Sequence, residues 1–256
     1  MSENVRLELT GPLAVVTLAN PDRRNAQTPA TWRELAGIGR SLPGDVRAVV
    51  LRGEGTSFSA GLDRRLFPGG GGVPGEAALT DLAAQDAAGL DAAIASFQEA
   101  FTWWRRPDLV SIAAVQGHAV GAGFQLALAC DLRVCADDVQ FSMAETSLGL
   151  VPDLAGTKPL VDLVGYARAL EICVTGRRIG AAEAAALGIA TSVVPRADLD
   201  AAATDLAKAL TAAPRDAVVE TKALLQGAAS RSYDEQRAAE REAQARRLKD
   251  LLGAGE

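Results

Sequence analysis

A single histidine in 256 residues is the scarcity with the widest consequences. His118 alone cannot build a histidine-based metal centre, and the unpatterned carboxylates around it complete no ligand set. A Ser-His-Asp triad would need partners that no motif here supplies, so His118 is expected to pack or to hydrogen-bond. Cysteine is almost as rare. Cys130, Cys135 and Cys173 form no C-x-x-C pair, and the first two sit in apolar runs. They read as small, reduced, buried residues. Basic residues are in deficit, with 26 Lys and Arg against 32 Asp and Glu and a net charge of −6. That excludes the basic stripe of a general nucleic-acid binder, yet it leaves a few local arginines free for a phosphorylated ligand. No run of 18 apolar residues offers a membrane span. No basic-plus-apolar leader opens the sequence. A cytoplasmic protein with neither nucleic-acid nor membrane partners is expected.

What is present is a long alternation of elements. Residues 5–10 and 13–19 alternate like two strands paired around Gly11-Pro12. Residues 30–41 read as a helix started by Thr28-Pro29, and Val46–Arg52 as a short strand. The run Phe-Pro-Gly-Gly-Gly-Gly-Val-Pro-Gly at 67–75 cannot hold regular structure. A helical stretch over 77–104 is stopped by Pro107, then come strand 110–116, helix 122–130 and strand 132–136. Helices are expected at 159–174, 181–187, 199–212, 214–226 and 233–252. Strands alternating with helices predict an α/β fold on roughly parallel strands. A chain of this length can bury roughly 70–75% of its unfolded surface.

Two glycine turns carry the chemistry. Gly117-His118-Ala119-Val120-Gly121-Ala122-Gly123 joins the apolar strand at 110–115 to an apolar helical run. A strand, a glycine turn and a helix start present free backbone N–H groups at a positive helix end. Such a place suits negative charge developing on oxygen. Phe58-Ser59-Ala60-Gly61-Leu62-Asp63 is a second turn, following the strand Ala48–Arg52. Together they suggest a two-donor oxyanion hole.

These turns resemble the F-x-A-G-x-D and G-x-A-x-G-G/A-G signatures of the crotonase superfamily, the enoyl-CoA hydratases and isomerases. Asn20-Pro21-Asp22-Arg23-Arg24-Asn25-Ala26 is similar to the family's N-P-x-x-x-N-A segment, and Cys130-Asp131-Leu132-Arg133 to its C-D-I/L-R. Thr175–Gly188 is similar to its T-G-x-x-I/L-x-A-x-E-A-x-x-x-G segment. The matches run in order from residue 5 to about 245. The resemblance implies the α/β crotonase (ClpP-like) fold of repeated ββα units. It divides the chain into an acyl-CoA-binding core over 1–197 and a C-terminal helical region over 198–256 that covers the acyl pocket and supports a homo-trimer or a dimer of trimers. It also implies no tightly bound cofactor, coenzyme A entering as part of the thioester substrate. Relatives commonly run on to a segment near E-K-R-x-P, which Ala254-Gly255-Glu256 stops short of. No CoA contact or pocket lid from that segment is expected here.

By the same resemblance, Ala60 and Ala122 would donate their N–H groups to the thioester oxygen. Glu145, in Phe141–Leu150, would be the acid/base. Arg24, Ala26, Leu62, Asp63 and Arg64 would meet CoA. Gln125 stands where hydratases of the family carry a first glutamate. An amide can orient water or substrate but cannot accept a proton, which disfavours paired-glutamate hydration. Asp153, eight residues after Glu145, matches an aspartate found in dienoyl-CoA isomerases, although those enzymes also carry an aspartate at the Gln125 position. Two carboxylates in different environments can divide into base and acid. Double-bond isomerisation is thus favoured on chemistry, with hydration of a 2-enoyl-CoA as the alternative. Two further readings are a non-catalytic acyl-CoA-binding protein, and thioester hydrolysis or dehalogenation with Asp153 as nucleophile.

Overall fold

The computed structural model describes residues 4–253. The chain end at 254–256, on which the expectation about a missing tail bears, lies outside the described residues. Strands β1 (Val5–Thr10) and β2 (Leu13–Leu18) form the expected antiparallel hairpin. Helix α1 (Pro29–Ser41) follows, capped by the Thr28 hydroxyl, which accepts the Thr31 N–H. Then come β3 (Ala48–Gly53), the short α2 (Leu79–Ala83), α3 (Ala87–Thr102), β4 (Val110–Val115) and β5 (His118–Val120). Next are α4 (Ala122–Ala129), β6 (Leu132–Ala136), β7 (Gln140–Ser142), α5 (Thr157–Val164), α6 (Tyr166–Thr175) and β8 (Ile179–Gly180). The remainder is α7 (Ala181–Ala186), β9 (Ser192–Val194), α8 (Leu199–Ala212), α9 (Arg215–Ala228) and α10 (Tyr233–Leu251).

The main sheet has six strands in the order β1-β2-β3-β4-β6-β9, parallel beyond the first hairpin. A second sheet, β5-β7-β8, stands beside it. All six residues of β4 are buried, as expected for a parallel strand covered on both faces. One face packs Val49, Leu51, Ala113 and Val115 into the larger core with Phe58, Phe124 and Phe141. The other face, Ala48, Val50, Ile112, Ala114, Val134 and Ala136, is covered by Leu199, Ala203 and Ala207 of α8. Alanines four apart on α8 let the helix lie close to the sheet. Farther on, the Lys222 ammonium of α9 donates 2.7 Å bonds to the Arg106 and Leu109 carbonyls and to Asp131 Oδ2.

Three departures from the sequence expectations have physical causes. The helix expected over 77–104 is two helices, because the Asp86 side chain accepts the Gly89 N–H at 2.8 Å and starts α3 afresh. The helix expected over 159–174 breaks at Gly165, whose φ of 74° is outside the helical range. Four strands, β5, β7, β8 and β9, have two or three residues each, too few to show a period of two.

Candidate active site

The two glycine turns meet directly. Ser59 donates its N–H to the His118 carbonyl at 2.9 Å and accepts the Val120 N–H at 3.0 Å. A Cβ on Gly61, which has φ +84°, would lie 2.4 Å from the Val120 oxygen and 3.5 Å from the Ala122 nitrogen. A Cβ on Gly123 would lie 2.5 Å from the Ser59 oxygen. Only glycine permits this approach. On its other side the first turn pairs with residues 24–27. Gln27 donates its N–H to the Gly61 carbonyl at 2.7 Å and accepts the Asp63 N–H at 2.8 Å.

That pairing decides which amide is free, and it corrects the assignment of Ala60. The Ala60 N–H donates to the Arg24 carbonyl at 2.8 Å, and the Gly61 N–H donates to Ser59 Oγ at 3.2 Å. Along an extended segment successive amides point to opposite sides. With Gly61 and Asp63 facing Gln27, the Leu62 N–H faces away and meets no acceptor among the described residues. Ala122 is the first residue of α4, so its N–H has no intrahelical acceptor. Leu62 and Ala122 therefore offer free donors where the two turns meet. The residues of the turn were evident in the sequence, but the direction of each amide depends on its register against Gln27.

Glu145 and Asp153, the expected acid/base groups, and Gln125, the expected positioner, are brought together around one cavity. Gln125 Nε2 donates to Glu145 Oε1 at 2.6 Å, while Gln125 Oε1 accepts the Leu154 N–H at 2.9 Å and the Gly156 N–H at 3.3 Å. Two backbone donors fix which end of the amide is oxygen. Gly156 has no Cβ because one would lie 2.6 Å from Gln125 Cγ. Glu145 Oε2 is buried without a hydrogen-bond partner. Burial raises the Glu145 carboxyl above its ordinary pKa; the Gln125 bond opposes this and the charge of Asp153 adds to it. Burial raises Asp153 as well.

Glu145, Asp153, Gln125, Ala122 and Leu62 line a cavity of about 370 Å³. Its far wall is apolar, built by Trp32 and by Leu82, Leu90, Ile94 and Phe97 of α2 and α3. An open cleft of about 600 Å³ adjoins it and shares Ala60, Leu62 and Arg64. Of the residues proposed for CoA, Ala26, Leu62, Asp63 and Arg64 line the cleft and Arg24 does not, while Arg23 and Arg65 line it too. Burial would raise Asp63, but the Arg65 guanidinium, 2.8 Å from it, outweighs this and holds the carboxyl below its usual pKa. Arg64 has no ion-pair partner among the described residues. His118 lines neither space and sits 3.2 Å from Ser57 Oγ, in the hydrogen-bonding role expected of it. Cys130 and Cys135 are buried, which pushes both thiols up to about 12.

Two backbone donors beside a desolvated carboxylate, between an apolar cavity and an arginine-lined cleft, define an enzyme site that can hold an oxyanion while a proton moves. The sequence profile of the enoyl-CoA hydratase/isomerase family matches residues 8–250, and the chain belongs to that family. Carnitinyl-CoA dehydratase of Escherichia coli (strain K12) is 37% identical over 213 residues, covering 82% of this chain and 75% of that protein. A Thermobifida fusca YX protein provisionally assigned as an enoyl-CoA hydratase, solved with CoA, is 50% identical with a TM-score of 0.92, covering 98% of this chain and 95% of that one. In its acetoacetyl-CoA complex it is 51% identical over 97% of this chain and 96% of that one, with a TM-score of 0.92. The fold is thus the α/β crotonase fold, and the protein is an enzyme of the hydratase/isomerase family.

Proposed function

We propose that this enzyme shifts a carbon–carbon double bond within an apolar acyl-CoA thioester. The thioester oxygen would accept the Leu62 and Ala122 N–H groups. Glu145 Oε2 would remove a proton from the carbon beside the thioester, leaving a conjugated enolate. Glu145, or Asp153 in its protonated form, would return a proton two carbons farther along. The apolar far wall fits a hydrocarbon acyl group, and the adjoining cleft fits the CoA nucleotide, with Arg23 and Arg64 suited to its phosphates. Copies are expected to associate as a trimer or a dimer of trimers through the helical region 198–256, in a cytoplasmic setting.

The observation that carries this reading is the commitment of Gln125. Its oxygen takes two backbone N–H groups and its nitrogen holds Glu145. No acceptor on Gln125 is left to help deprotonate a water. Hydration is the second reading, favoured by the likeness to proteins assigned as hydratases. Purified protein incubated with 2-enoyl-, 3-enoyl- and 3,5-dienoyl-CoAs in ordinary and heavy-oxygen water separates the two. An absorbance change without a mass change is expected. A gain of one labelled water on a 2-enoyl-CoA would establish hydration instead.

A further inference from the structure

We infer that Gln27 is a positioning residue, one that sets the direction of the Leu62 N–H and ties that donor to the wall of the acyl cavity. The inference rests on the oxyanion reading of the site. Gln27 is fully buried, as is Ser59, and Trp32 is nearly so. The Trp32 indole N–H donates to Gln27 Oε1 at 2.8 Å, and Gln27 Nε2 donates to Ser59 Oγ at 2.9 Å. The Ser59 hydroxyl in turn donates to the Asn25 carbonyl at 2.8 Å and accepts the Gly61 N–H at 3.2 Å. Indole is a donor only, so Gln27 Oε1 must face it. The hydroxyl has one proton and two lone pairs, and all three are used. Every polar atom of this small network is paired, in a place where an unpaired one is costly.

The backbone of Gln27 grips the turn on both sides of Leu62, at the Gly61 carbonyl and the Asp63 N–H. The segment leading into Gln27 is tied within itself, as by the Asn25 N–H to the Asn20 carbonyl at 2.8 Å, but it also holds an unfavourable backbone conformation. Arg24 and Asn25 have φ of 50° and 53°, a left-handed conformation that non-glycine residues adopt only when held. Asn25 is held by its amide, which donates to the Glu54 and Ser57 carbonyls. Gln27 is held by its side chain, between Ser59 within the turn and Trp32 on the cavity wall. Side-chain network and backbone pairing together leave the Leu62 N–H as the free amide of the turn. Displacing such a donor by a fraction of an ångström weakens it selectively toward a charged oxygen.

The test uses the full-length protein and acetoacetyl-CoA, whose enolate is seen by its near-ultraviolet absorbance whichever reaction the enzyme performs. Wild type, Gln27→Met, Ser59→Ala and the double variant are compared for thermal melting, for acetoacetyl-CoA affinity, and for the fraction of bound ligand present as enolate across pH. Either single change is expected to leave affinity within about threefold and to lower the acidity of the bound ligand about tenfold. The double variant is expected to be no worse than the singles, since both remove one linkage. A wild-type enolate fraction in folded variants overturns the inference. So do losses that multiply in the double variant, the mark of two independent packing defects. Wild type that binds acetoacetyl-CoA without enolising it overturns the oxyanion reading itself, and this inference with it.

Discussion

Glu145 combines a buried, unpartnered oxygen with a desolvated carboxyl, and two predictions follow from that pairing. Glu145→Gln should lower kcat by about 10²–10⁴-fold while CoA-ester affinity, read by calorimetry, changes little. Its effect on stability should depend on pH. A carboxyl whose pKa is raised by folding contributes fully below its unfolded value, and that contribution is lost as pH rises through the folded value. The neutral variant should therefore be the more stable at neutral pH, with no gain below the ordinary carboxylate range, as urea titrations at two pH values would record. Gln125 and Asp153 act on Glu145 with opposite sign. Gln125→Leu removes a bond that lowers the Glu145 pKa, so the acid limb of the rate profile should move to higher pH. Asp153→Asn removes a neighbouring charge that raises it, so that limb should move to lower pH. Glu145, Gln125 and Asp153 were reached in the sequence through motif resemblance, and all three line one cavity. The free amide was not reached that way. Ala60 and Leu62 stand two apart in the same turn, and only the hydrogen bonds of Arg24 and Gln27 distinguish them.

Among the elements, the segment between β3 and α3 has an anchor that its glycines conceal. Residues 67–75 form neither helix nor strand, as their composition predicts. Glu76 nevertheless ties the end of this stretch to the start of α1. Its Oε1 accepts from the Thr28 hydroxyl at 3.1 Å and the Ala30 N–H at 2.7 Å, and Arg33 approaches Oε2 at 3.3 Å. Thr28 and Ala30 flank the base of a helix that supplies Trp32 to the acyl cavity. Glu76→Ala should raise KM for acyl-CoA several-fold, leave kcat nearly unchanged, and open residues 67–86 to limited proteolysis. The longer strands and helices were readable within one or two residues because their periods extend over several turns. The break before α3 could have been read from Asp86, a good cap residue. The break at Gly165 could not, since glycine tolerates a helix and only its positive φ ends one.

At the scale of the molecule, one sheet is covered on both faces, and the helices beyond residue 198 help to cover it. Lys222, on the ninth helix, reaches back to three oxygens around the start of β4 and the end of α4. Both ions are largely shielded, with side-chain exposures of 9% and 19%. Removing one partner leaves a buried charge unmatched, so Lys222→Ala should cost about 2–4 kcal/mol, read as a fall in the denaturant midpoint at unchanged slope. The site depends on this completeness. Leu62 and Ala122 lie on opposite sides of the long excursion through α2 and α3, and no single helix or strand contains both donors, the acid and the cavity wall. A molecule with one layer undone has lost the hole as well. An acyl-CoA ester should then bind the finished fold and ignore every precursor, so that by mass action a hundredfold excess over its Kd adds about 2.7 kcal/mol to global stability. In the cell, substrate supply would set how much of this enzyme persists as well as how fast it works.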